Sequence, residues 1–150
     1  MGIADDAVEV RAQGWRTLAA LHGLIEAELE RALATSVELS VVEYTVLDAL
    51  SRQDGWHVRM QQLARATALS PSATTRLVNR LEDRALITRI LCADDRRGIY
   101  TELTPAGRAL YDRAHPIHDE TLARVLADAA EQPELAPVVE VLQAGVPQPA

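Results

Sequence analysis

Apolar residues recur at three- and four-residue steps through Val8, Ala12, Trp15, Leu18, Ala19, His22, Ile25, Leu29 and Leu33. That spacing keeps them on one side of a helix and predicts a long amphipathic helix over Ala7 to Leu33, its apolar stripe turned to a core. Ser40, with Glu43 three residues on, reads as a capping box for a second helix whose inner side holds Val42, Val46, Leu47 and Leu50. Gln53-Asp54-Gly55 should turn the chain, and Trp56-His57-Val58 is long enough only for a scrap of strand. Met60, Leu63, Ala64 and Thr67 suggest a short third helix. Ser70 followed by Pro71 opens a fourth, the serine as cap and the proline at a position where its missing N–H is not needed.

Beyond Ala85 the period changes. Ile87 to Cys92 and Ile99 to Leu103 are rich in β-branched residues, and the polar run Ala93 to Gly98 between them makes the pair a hairpin. Thr104-Pro105 is again a cap and a first-turn proline, opening a helix to about Ala130, with a kink expected at Pro116. Gln132-Pro133 breaks it. Leu135, Val138, Val139 and Leu142 mark a last short helix ending at Gly145, and residues 146–150 are expected to be a flexible tail.

Helix, helix, turn, helix, hairpin over residues 38–104 is the order of a winged helix-turn-helix. The expected fold is mainly α with a small β-hairpin. Residues 1–37 and 105–145 form a helical dimerisation part around the DNA-binding part, within one domain. On a wheel of about 100° per residue, Ala73, Leu81 and Arg84 fall within about 40° of Leu77. Ser72, Thr75, Arg76 and Asn79 lie opposite, with Arg80 flanking. Short hydroxyls, an amide and arginines are the groups that bond to base edges and phosphates, and Ser70 and Ser72 stand at the positive end of the helix. Thr74 completes the candidate set on this helix. A solvated helix face is the plainer alternative. Arg96 and Arg97 stand together at the hairpin tip, where an arginine can enter a narrow minor groove, and Asp95 can hold one of them in place. A salt-bridged surface turn is the alternative there.

The chain has 150 residues and a net charge of −7, which by itself argues against a nucleic-acid partner. The charge is uneven. Ser51 to Arg97 holds nine arginines against five acids, a net of +4, and the remainder carries −11. A basic island on an acidic body suits a polyanion docked in one place. Every basic residue is arginine, whose planar fork matches phosphates and guanine edges. The lone cysteine, Cys92, excludes an internal disulfide and a multi-cysteine metal site. It is expected to pack as a small apolar residue and not to sense peroxide. No apolar run approaches the ~18 residues a membrane span needs. No secretory pattern opens the chain, so no membrane partner and a cytoplasmic location are expected. No phosphate-binding glycine loop, zinc-protease motif or nucleophile elbow is present, so an enzyme is not expected.

The stretch Asp95-Arg96-Arg97-Gly98-Ile99-Tyr100-Thr101-Glu102-Leu103-Thr104-Pro105-Ala106-Gly107 resembles the wing motif of the MarR family of bacterial transcription regulators, D-R-R-G-x-x-x-x-L-T-x-x-G. Leu63-Ala64 and Leu69 to Glu82 are similar to its recognition-helix region, at fitting distance. The resemblance covers nearly the whole chain. It implies a homodimer, intertwined through the first, fifth and last helices, on a pseudo-palindromic double-stranded DNA operator, and most often a ligand-responsive repressor. Arg76 and Thr75 would read bases, Ser70 and Ser72 would contact the backbone, and Arg97 would be the wing-tip arginine. Many members carry glycine in the turn before Leu69. Ala68 stands here instead, at a cost of about 1 kcal/mol if that residue is left-handed, so a slightly different turn is expected.

The family often binds small aromatic anions between the dimer helices and the winged part. By that resemblance Trp15, Arg16, His22, Tyr44 and Tyr111 are candidates to line a pocket for an aromatic or anionic effector, although Trp15 and Tyr44 could simply be core. His115 and His118 invite a zinc site, but Val42-Glu43-Tyr44-Thr45 does not reproduce the ligands expected of the zinc-sensing branch, so neither metal nor cofactor is expected. The competing function is a winged-helix module that binds protein without specific DNA binding.

Overall fold

The computed structural model describes residues 3–53, 57–91 and 98–145. Along the chain these form α1 (Ile3–Val37), α2 (Val41–Ser51), β1 (His57–Arg59), α3 (Met60–Thr67), α4 (Pro71–Asp83), β2 (Ile87–Leu91), β3 (Ile99–Leu103), α5 (Pro105–Ala130) and α6 (Ala136–Ala144). The expected turn at Asp54-Gly55 and the expected tail at 146–150 fall outside the described residues. Among the described residues, no helix is long and apolar enough to cross a membrane.

The chain divides into two compact units, residues 32–118 and residues 1–31 with 119–150. In the first, α2 packs on α3, α3 on α4, and α4 on β2. Val46, Leu47, Leu50, Leu63, Val78 and Leu81 are wholly buried there. The capping box of α2 is formed as the sequence suggests: Glu43 N–H donates to Ser40 Oγ at 3.1 Å, and Ser40 N–H donates to Glu43 Oε1 at 3.0 Å. Glu43 is buried, and Arg84 at the end of α4 donates to its other oxygen at 2.9 Å. One carboxylate thus caps α2 and ties it to the far end of α4.

The sheet has three antiparallel strands in the order β1-β3-β2, with Val58 opposite Thr101 and Arg89 opposite Thr101 on the other side. The hairpin of β2 and β3 is therefore joined by the short strand at 57–59, fastened by Thr101 Oγ1 donating to the Val58 carbonyl at 3.1 Å. The start of α5 is fixed to the end of this region. Thr104 Oγ1 donates to the Ala85 carbonyl at 2.7 Å and accepts Gly107 N–H at 3.0 Å. A Cβ on Gly107 would lie 1.9 Å from the Leu86 carbonyl oxygen, so only glycine lets the helix come this close.

In the second unit Leu21 of α1 packs with Ala129, Leu135 and Val139, flanked by Ile25, Leu126 and Val138. The stripe expected to face a core is only partly right. Leu29 and Leu33 are buried, but Val8, Trp15 and Leu18 are 56%, 68% and 46% exposed, and Leu21 takes the inward position. Periodicity identifies a stripe but not what covers it. Leu142, one of the residues that mark the last helix, is likewise exposed. α5 continues through Pro116.

Candidate nucleic-acid interface

α4 begins at Ser70, whose Oγ accepts Ala73 N–H at 3.2 Å and lies 3.3 Å from Ser72 Oγ. Pro71 occupies the first turn. Two serine hydroxyls therefore sit side by side at the helix end where backbone N–H groups point outward and the dipole favours an anion. Ala68 and Leu69 set the approach. Ala68 adopts φ 56°, ψ 30°, and Leu69 N–H donates to the Ala64 carbonyl at 3.2 Å. The turn therefore keeps the left-handed geometry that the sequence reading expected alanine to avoid. The hydrogen bonds that close the end of α3 hold the residue there despite its Cβ.

Leu77, Val78 and Leu81 are buried, while Ser72, Thr75, Arg76, Asn79 and Arg80 are exposed on the other side. Thr74 is a correction: it is 1% exposed, and its Oγ1 donates to the Ser70 carbonyl at 2.9 Å. Its place in the helix explains this, because three residues before Leu77 is only about 60° from it, inside the apolar stripe. Thr75 Oγ1 donates to the Pro71 carbonyl at 3.0 Å, so the group it offers outward is an acceptor and a methyl. Among the described residues, neither Arg76 nor Arg80 forms an ion pair.

One of the two acids at the end of the helix, Glu82, is paired from the sheet. Arg89 of β2 meets Glu82 through Nη2 at 3.0 Å and Nε at 3.3 Å, its backbone N–H reaches the same carboxylate at 3.2 Å, and Nη2 also donates to Asn79 Oδ1. The side-chain bond from Arg89 holds the Glu82 carboxyl below the usual range, against a smaller effect of burial, and the same pair raises Arg89. Glu82 thus adds little repulsion toward a polyanion.

A groove of about 330 Å³ runs beside α4, with Arg59, Gln61, Thr75, Arg89 and Ile99 on its walls. Arg59 is exposed and lies over the Tyr100 ring, 5.4 Å from its centre, with Nε donating to Tyr100 Oη at 2.9 Å. The sequence reading singled out neither Arg59 nor Arg89. Both were counted within the basic island, but only the pairing of β1 and β2 with β3 puts them beside the fourth helix. Asp95, Arg96, Arg97 and Cys92 lie outside the described residues.

The effector candidates are divided between the units. In residues 32–118, Tyr44 is buried and stacks on His118 at 4.3 Å and on Tyr111 at 5.9 Å. Its Oη is 3.1 Å from His115 Nδ1. Tyr111 donates to Asp48 at 2.9 Å, and burial pushes its phenol pKa up. In the other unit Arg16 pairs with Glu9 at 2.7 Å, and Trp15 and His22 border an apolar hollow of about 420 Å³ with Leu18 and Ala19. Trp15 is not a core residue of the single chain. Among the described residues no group of three or more histidine, cysteine or carboxylate side chains is placed to hold a metal ion.

The sequence profile of the MarR family matches residues 38–98. Over 144 residues the chain is 31% identical to the HTH-type transcriptional repressor Rv2887 of Mycobacterium tuberculosis, covering 95% of this chain and 98% of that protein. The chain belongs to the MarR family. Among solved MarR structures it is similar to AbsC of Streptomyces coelicolor, a MarR family transcriptional regulator, with a TM-score of 0.72 and 29% identity over 88% of this chain and 93% of the other. It is also similar to Sco3205 of the same organism, a MarR family regulator crystallised with DNA, with a TM-score of 0.72 and 25% identity over 100% and 92% of the two chains.

Proposed function

We propose that this MarR-family chain is a cytoplasmic, sequence-specific double-stranded-DNA-binding transcriptional regulator, a ligand-responsive repressor acting as a homodimer on a pseudo-palindromic operator. The observation that carries it is the outer side of α4. Ser72, Thr75, Arg76, Asn79 and Arg80 are exposed together, and Glu82, one of the two carboxylates at the end of the helix, is already paired. The DNA complex of the related Sco3205 supports the same use of the fold.

In this reading the N-terminal half of α4 enters a major groove. Arg76 offers two parallel N–H donors to guanine O6 and N7, and Thr75 an acceptor or its methyl group. Ser70 and Ser72 donate to phosphate oxygens, which fix the register without reading sequence. Arg59 at the rim of the groove takes a neighbouring phosphate. Arg96 and Arg97, oriented by Asp95, take the adjacent minor groove.

A second copy covers the apolar residues that one chain leaves exposed, Val8, Val10, Trp15 and Leu18 on α1 and Val141 and Leu142 on α6. The stacked Tyr44 and Tyr111 suit a small aromatic or anionic effector.

Fluorescence anisotropy tests this with a duplex that the wild-type chain selects from a randomised library. The expected result is two protomers per duplex, preference over random DNA by about a thousandfold or more, and affinity that falls steeply with salt. Arg76→Ala should weaken the selected duplex by about 5–150-fold with the melting temperature unchanged. Equal affinity for selected and random duplexes overturns the reading.

A further inference from the structure

We infer that Tyr100 is a positioning residue for DNA binding: it holds Arg59 in place, before DNA arrives, as a phosphate contact beside α4. This rests on the DNA-reading role of α4 and the phosphate contact of Arg59 proposed above. Arg59 ends β1, and Tyr100 lies directly opposite it on β3. Directly opposed residues leave a sheet on the same face, so register brings the two side chains together. Arg59 Nε donates to Tyr100 Oη at 2.9 Å. The guanidinium carbon stands 5.4 Å from the ring centre, within the ~6 Å at which an aromatic face attracts a cation. The backbone of Arg59 is held as well, its N–H donating to Gln62 Oε1 at 3.2 Å at the start of α3.

The place of the pair gives this ordering a use. Arg59 is exposed and shares the groove of about 330 Å³ with Thr75 of α4. A long side chain that is ordered only on binding loses its rotamer freedom then, and the complex is weaker for it. An arginine already held in the free protein has less to lose. The bond to Tyr100 uses Nε, whereas four of the five N–H donors of arginine sit on its two Nη groups, so a phosphate can be bound without breaking it. Tyr100 is half-buried in the central strand of the sheet and is the anchored member of the pair. A tyrosine is neutral and does not change how many phosphates are neutralised. Arg59 therefore contributes to affinity and to its salt dependence, and Tyr100 to affinity alone.

The test is a double-mutant cycle on the full-length chain. Anisotropy is measured over a range of salt with the duplex selected by the wild type, and circular dichroism melts check folding. Arg59→Ala should weaken binding by about tenfold or more and reduce the slope of log affinity against log salt by about one per protomer. Tyr100→Phe keeps the ring and removes the hydroxyl. It should weaken binding about fivefold, counting both protomers, with the wild-type salt slope and the wild-type base preferences on reselection. In the Arg59→Ala background Tyr100→Phe should have no further effect. An equal loss in both backgrounds overturns the inference, because Tyr100 then acts independently of Arg59. Wild-type affinity in Tyr100→Phe overturns it too. Full affinity in Arg59→Ala, with Arg76→Ala still weakened, refutes the Arg59 contact and this inference while the reading role of α4 stands. A wild-type chain that prefers no duplex refutes that role, and this inference with it.

Discussion

The two ends of α4 are built differently. At the N-terminal end, Ser70, Ser72 and Thr75 bond only to one another or to local backbone, and Arg76 forms no ion pair among the described residues. At the C-terminal end Glu82 is clasped by Arg89, Arg84 is tied to the buried Glu43, and Ala85 and Leu86 close the helix through the Glu82 and Leu81 carbonyls at 2.9 and 3.0 Å. One helix thus has a fastened end and a presented end. A reading surface works only if its aim is held by the rest of the fold, because each group that must be ordered on binding weakens the complex. The cross-links lie away from Ser70, Ser72, Thr75 and Arg76, and of the exposed set they reach only Asn79.

The largest expected effect comes from loosening the fastened end. Gly107→Ala forces the start of α5 away from the Leu86 carbonyl and should cost about 3 kcal/mol, a fall in melting temperature of about 6–12 °C by calorimetry. An unchanged melting temperature would mean that the close approach at Leu86 does not exist in solution. At the presented end the change should go the other way. Ala68→Gly relieves a left-handed alanine and should add about 1 kcal/mol in urea unfolding, with DNA affinity within about twofold of wild type. A loss of stability there would show that Ala68 is not left-handed.

The smallest effect belongs to the Glu82–Arg89 clasp. The folded Glu82 has a lowered pKa. Its contribution is complete above the unfolded glutamate value of about 4.3, and is lost as pH falls below that and through the lower folded value. The melting temperature of wild type should exceed that of Glu82→Gln at pH 6, with the gap closing below about pH 4. Glu82 is more than a third exposed, so the gap should be small and shrink in salt. A gap that widened on acidification would contradict the clasp.

Local signals carried most of this architecture. Ser40 with Glu43, Ser70 with Pro71 and Thr104 with Pro105 each mark a helix start that the structure has within a residue, because caps are satisfied by neighbours in sequence. The outer side of α4 was legible from its period, apart from Thr74, which the same period places at the edge of the buried stripe. What depended on distant partners was not legible. Arg89 and Arg59 acquire their places through strand pairing across 40 or more residues of chain in one case and a ten-residue hop to Asn79 in the other. Leu21 replaced Trp15 and Leu18 as the inward residue of α1 because the neighbours it meets, Ala129, Leu135 and Val139, are more than 100 residues away. Alanine in a left-handed turn was legible as a cost but not as a shape, since the bonds that impose it come from the end of α3.

The most direct test of the central claim is a crystal structure of the chain with a duplex selected by the wild type. The account predicts the N-terminal half of α4 in a major groove, with Thr75 and Arg76 within about 3.5 Å of base edges and the hydroxyls of Ser70 and Ser72 on phosphates. A complex in which α4 lies outside the groove, or in which Arg76 faces solvent while another element reads the bases, would contradict it.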